Sequence, residues 1–136
     1  MSRAAVLALL MLLILSAGVR AQPSSCRAAR GMEVTLFGGV DDPDVLVWDS
    51  RERLVNYAAG SSDERKFLLP HALLSRPGTR AMVQLCYGGI VHSKFRIDSQ
   101  DAVAVRILDG RYRGRSGWVS SADVHGAGIP ELRDRW

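Results

Sequence analysis

Apolar and polar residues alternate most clearly between Val103 and Val124, in the run VAVRILDGRYRGRSGWVSSADV. Alternation puts successive side chains on opposite faces of a strand, so Val103, Val105 and Ile107 form one buried face. Asp109-Gly110 is a turn signal, and Gly117-Trp118-Val119 reads as the returning strand. The segment predicts the end of a small β-barrel, with the upstream chain supplying the sheet that it closes.

Upstream, Gln22 to Arg30 is a polar leader and Glu33 to Phe37 a strand stopped by Gly38-Gly39. Asp41-Asp42-Pro43-Asp44 is a turn, since proline presets its own φ and aspartates accept local backbone hydrogen bonds. Its carboxylates lack the alternating ligand spacing and distant glutamate of a calcium loop. Val45–Trp48 and Arg53–Tyr57 read as a β-hairpin around a short polar connection, followed by a polar loop from Ala58 to Lys66. Phe67 to Leu74 is apolar without alternation and carries Pro70, which suits a short helical turn. Arg76-Pro77-Gly78-Thr79 is a turn by composition.

Arg80 to Cys86 alternates, with Ala81, Val83 and Leu85 inward and Met82, Gln84 and Cys86 outward. Tyr87-Gly88-Gly89 is read as a turn into a strand from Ile90 to Ile97. There Val91, Phe95 and Ile97 share a face opposite His92, Lys94 and Arg96. Pairing Ile97 with Val103 and Phe95 with Val105 brings core to core. The fold class expected is all-β: a small barrel of five to seven short antiparallel strands with one or two short helical turns.

At the N-terminus, Arg3, the apolar run from Ala4 to Leu15 and the small residues ending at Ala21 have the layout of a secretory signal. A membrane anchor needs roughly 20 apolar residues, more than this run holds. A lipoprotein reading using Cys26 lacks the leucine expected before the cysteine. Four segments follow: a signal at 1–21, a surface leader at 22–30, a β-barrel domain at 31–126 and a C-terminal tail at 127–136. Without Arg3 and Arg20 the formal charge falls from +4 to +2. Cys26 and Cys86 both follow the signal, and in an oxidising compartment they allow one intramolecular pairing. The alternative is two free thiols.

The portion Arg113-Gly114-Arg115-Ser116-Gly117-Trp118-Val119, within Arg106 to Val124, resembles the C-terminal third of SH3-like barrels. In those a tight hairpin, a Gly-Trp-Val strand, a helical turn and a last short strand follow one another. The resemblance implies an SH3-like barrel of the kind found in secreted bacterial proteins. It does not extend to the polyproline groove of signalling SH3 domains, because Ser120, Ala122 and Asp123 stand where those carry proline, asparagine and tyrosine. Trp118, Gly117 and Trp48 are read as structural, since a tryptophan dominates a small core.

His71, His92 and His125 are scattered, and no nucleophile elbow, zinc helix or paired-cysteine motif is present. The chain is therefore read as a non-enzyme with no cofactor and no metal ligand set. The candidate binding residues are His92, Lys94, Arg96, Arg106, Arg111, Arg113 and Arg115. The expected register sets Lys94 opposite Arg106, a like-charge pair that an anion would relieve. The expected function is a secreted or periplasmic binding module for a cell-envelope component: a glycan, a peptide or an anionic polymer. The alternative is a soluble inhibitor or accessory subunit docking on a partner protein. Neither nucleic acid binding nor a transmembrane segment after signal removal is expected.

Overall fold

The computed structural model describes residues 26–126. The signal reading at 1–21, the first residues of the leader, and the tail at 127–136 with Trp136 lie outside the described residues. Seven antiparallel strands form one curled half-barrel sheet: β1 (Glu33–Leu36), β2 (Val45–Trp48), β3 (Ala72–Ser75), β4 (Thr79–Val91), β5 (Gln100–Ile107), β6 (Ser116–Ser120) and β7 (Val124–His125). Their spatial order is β3-β2-β6-β5-β4-β1-β7. Two short helices, α1 (Arg51–Ala59) and α2 (Ser62–Leu68), and 3-10 turns at Leu69–His71 and Ser121–Asp123 complete the fold. The all-β class is thus the observed one.

Alternation along the strands builds two cores. On the inner face Val34, Leu36, Val45, Val47, Ala81, Val83, Val103, Val105, Ile107, Val119 and Val124 are buried together. Each valine or isoleucine removed from water stabilises by roughly 1.5–3 kcal/mol, and β-branched side chains suit a pleated surface. On the outer face Trp48, Leu54, Val91 and Ala102 form a second, smaller core under α1. Gly117 lets β6 approach β2: an added Cβ would stand 2.5 Å from the Val47 side chain and 2.7 Å from the Trp48 carbonyl oxygen.

The strand expected at Arg53–Tyr57 is instead helix α1. Ser50 caps it by accepting from the Arg53 backbone N–H at 3.2 Å. Leu54, Tyr57 and Ala58, spaced as one helical face, pack on the outer core. β2 already has partners in β3 and β6, so no strand at 53–57 is needed to pair it. The loop expected at 58–66 contains the start of α2. Ser61 and Glu64 form a capping box there, each side chain bonding the other's backbone N–H. Between Phe67 and Leu74 the chain finishes α2, makes the 3-10 turn across Pro70 and enters β3.

β4 also departs from expectation. Tyr87-Gly88-Gly89 does not turn the chain; the strand continues to Val91 through an irregularity, with Gly89 at φ 69° and its N–H donating to Asp101 Oδ1. A β-bulge between Val83 and Leu85 shifts the alternation by one residue. Leu85 is therefore outward and Cys86 packs against the inner core, the reverse of the expected facing. The Cys26–Cys86 disulfide forms, with sulfurs 2.03 Å apart. It draws the leader over the open side of the sheet, where Ala28 and Met32 join the inner core.

Candidate functional site

Two clefts carry most of the chemistry among the described residues, and Asp44 lines both. The first lies beside the β5–β6 hairpin. Gly110 and Gly114 adopt φ 76° and 87°, which glycine reaches without a Cβ penalty. The turn closes through Arg113 N–H to Gly110 O, Gly114 N–H to Ile107 O and Arg115 N–H to Tyr112 O. β4 anchors it, because Leu108 N–H donates to Arg80 O and Arg80 N–H donates to Asp109 Oδ1.

This scaffold presents Arg106, Arg111, Arg113 and Arg115, all exposed. Of these Arg111 lines a groove of about 630 Å³, together with Arg76, Tyr112, Thr79, Asp44 and Asp109 among others, whereas Arg106, Arg113 and Arg115 stand outside it. Among the described residues none of Arg76, Arg106, Arg111, Arg113 and Arg115 makes an ion pair, whereas Arg53 pairs with Asp49 and Arg80 with Glu33. Between 106 and 115 four arginines face one aspartate in sequence, and that carboxylate accepts a backbone N–H. The structure therefore keeps Arg106, Arg111, Arg113 and Arg115 of the expected set on one hairpin, places only Arg111 of them in the groove, and adds Arg76 there, whose place in a Pro-Gly turn marks only a bend in the sequence.

It separates His92, Lys94 and Arg96 from them. These lie in the loop at 92–99, at the other end of β5, a strand of eight residues spanning about 20–25 Å. The expected Lys94–Arg106 pairing does not occur: Arg106 stands opposite Met82 and Ser116, and Val105 opposite Val83 and Gly117. The longer β4 takes the partners that 90–97 was expected to have. Phe95 and Ile97, expected in the core, are 83% and 104% exposed.

The second cleft, about 280 Å³, lies between the helices and the loop at 92–99. Trp48 and Tyr57 line it with Arg65, Arg96, Gln100 and Asp123, and Asp42 joins Asp44 at its rim. Burial pushes the Asp123 carboxyl up to about 7; Arg96 opposes the shift and Asp42 adds to it. Arg65 is committed elsewhere. It donates to Tyr57 O at 2.9 Å and Ala58 O at 3.2 Å, and its guanidinium stands over the rings of Tyr57 and Phe95 at 4.9 and 5.6 Å. That ties the loop to the end of α1. Asp123, Arg65 and Gln100 carry no sequence signal, because only the fold brings them together.

Trp48 is buried and packs against Tyr57 in a tilted pair, with ring centroids 4.7 Å apart. Trp118 is half-buried over the outer core, its ring 5.8 Å from that of Tyr87. One group of possible metal donors, Cys26, Cys86 and Asp101, stands close together, but its two sulfurs are bonded to each other. No described helix is long and apolar enough to cross a membrane. The molecule is thus a disulfide-tied half-barrel with two clefts of mixed charge on either side of Asp44, one of them beside the arginine-bearing hairpin. No family model, curated protein or solved structure matches the chain.

Proposed function

We propose that the protein is an SH3-like binding module, secreted or periplasmic, that holds an anionic polymer or glycan of the cell envelope at the arginine groove. The observation that carries this reading is the run of exposed arginines without ion-pair partners on one hairpin, Arg106, Arg111, Arg113 and Arg115, of which Arg111 also lines the adjoining groove with Arg76. Like charges kept this close are relieved by an anion that spans them, and the field they create raises the local concentration of such ligands. The groove's Tyr112 adds a phenol hydroxyl that suits a hydroxylated, charged chain. The disulfide and the signal-like N-terminus agree with an oxidising compartment.

Retention on purified anionic wall polymer, measured across a salt series, tests the reading. Replacing Arg111, Arg113 and Arg115 by glutamine should weaken retention at low salt by one to two orders of magnitude and flatten its salt dependence. Unchanged retention in a folded triple variant sinks the proposal.

The second reading, docking on a partner protein, has an observation of its own. Met82, Leu85 and Tyr87 are exposed along the outer face of β4, and the Arg51 guanidinium lies 4.1 Å above the Tyr87 ring. A Leu85→Glu, Tyr87→Ser variant that keeps polymer retention but loses a protein captured from envelope extracts would favour it.

A further inference from the structure

Phe95 and Ile97 are the most exposed large apolar side chains among the described residues. They lie two positions apart in the sequence Lys94-Phe95-Arg96-Ile97, so apolar and cationic residues alternate along the chain. The loop that carries them is anchored. Val91 pairs with Gln100 at its base, Arg96 N–H donates to Ser93 O, Phe95 N–H donates to Ser93 Oγ, and Arg65 lies over the Phe95 ring. A tip held this way presents its apolar groups already ordered, which lowers the entropy lost on binding. From His92 to Ile97 there is no carboxylate, and Asp98 is the first.

From this geometry we propose that the tip of the loop at 92–99 docks on an anionic lipid surface. Phe95 and Ile97 enter the boundary between headgroups and acyl chains, and the exposed Lys94 meets a lipid phosphate, while Arg96 is turned to the cleft beside Asp123. A lipid surface takes a narrow projection without shape complementarity, whereas a stable protein interface buries about 800 Å² on each partner. Two side chains on a convex tip suit the former. The exposed Lys94 beside them suits a negative surface, at about five-fold in partitioning for one charge. This surface is distinct from the arginine hairpin, which lies at the other end of β5.

The test uses protein recovered after export from an expressing cell, sedimented with vesicles of phosphatidylcholine alone or mixed equally with phosphatidylglycerol. Binding should require phosphatidylglycerol. Phe95→Ser with Ile97→Ser should lower partitioning at least about ten-fold, and Lys94→Gln should lower it a few-fold at low salt. The emission of a Phe95→Trp variant, corrected for wild-type emission, should shift to the blue on mixed vesicles. The glutamine variant of Arg111, Arg113 and Arg115 should keep that tip-dependent binding even where it loses polymer retention, so the two sites fail separately. Equal partitioning of the double serine variant and wild type, or an unmoved corrected emission of the Phe95→Trp variant, overturns the proposal. So does tip-dependent capture of an envelope protein without vesicle binding, which assigns the tip to a protein partner.

Discussion

The arginine groove and the helix-side cleft share Asp44 but are built in different ways. The arginines beside the groove stand on a hairpin whose shape is set by two glycines and by backbone hydrogen bonds, so apart from Arg111, which lies over the Tyr112 ring, their side chains contribute little to the fold. Residues of the cleft are fold residues first. Trp48 is in the outer core, Arg65 fastens the loop at 92–99 to α1, and Asp123 sits in the turn that leads into β7. Charge at the groove is left without partners, and charge at the cleft is partly offset. It follows that groove chemistry can change with little effect on stability, whereas almost any change at the cleft moves the fold as well.

The largest expected effect tests that contrast on the cleft side. Trp48 is 1% exposed and links the outer core to Tyr57. Trp48→Ala should cost about 3–5 kcal/mol, as truncation of a buried aromatic does. Trp118 is only partly buried, and Trp118→Ala should cost less than half as much. Urea unfolding of both variants gives the ranking. A Trp118 variant as unstable as the Trp48 variant would show that the rim of the outer core matters as much as its centre.

A smaller, pH-dependent effect belongs to Asp123. Its ordinary value is 3.8 and its folded value about 7, so between those limits the native state holds a proton that the unfolded chain has lost. Stability therefore falls as pH rises from about 4 to about 7 and stays low above. The full shift corresponds to about 4 kcal/mol, and partial contact with solvent brings the expected loss nearer 2. Asp123→Asn should match wild type near pH 4 and exceed it by about 2 kcal/mol at pH 8. Parallel pH profiles would mean that Arg96 compensates the carboxylate fully.

Sequence patterning reveals the inner core better than the clefts. Val103, Val105 and Ile107 alternate without interruption, and a period of two leaves few choices about which face is buried. The bulge at Gln84 is a one-residue slip that no residue type announces, and it reverses the facing of Leu85 and Cys86. Gly88-Gly89 reads equally as a turn or as an irregular strand, and choosing the turn sends Phe95 and Ile97 to the core. The helices have a readable signal in Ser61-Ser62-Asp63-Glu64, whose spacing is that of a capping box. In a chain so rich in short β runs, that local signal is outweighed. Arg106, Arg111, Arg113 and Arg115 are legible as a basic cluster because they are close in sequence. Asp123 and Arg96 are far apart in sequence, and nothing short of the fold couples them.

The smallest effect probes the groove itself. Arg111, Arg113 and Arg115 lie within one hairpin turn, exposed and without acid partners, so their mutual repulsion acts through solvent and is weak. Exposed charge interactions are worth at most about 1 kcal/mol and fade as salt rises. Replacing all three by glutamine removes that repulsion without touching a buried atom or a backbone hydrogen bond of the turn. The variant should be as stable as wild type or a few tenths of a kcal/mol more stable at low salt. Wild type should gain that difference when salt is raised, and the variant should not. Thermal unfolding of both proteins at low and moderate salt measures it. A variant less stable than wild type by more than about 1 kcal/mol would show the arginines holding the hairpin, and the groove would then resemble the cleft.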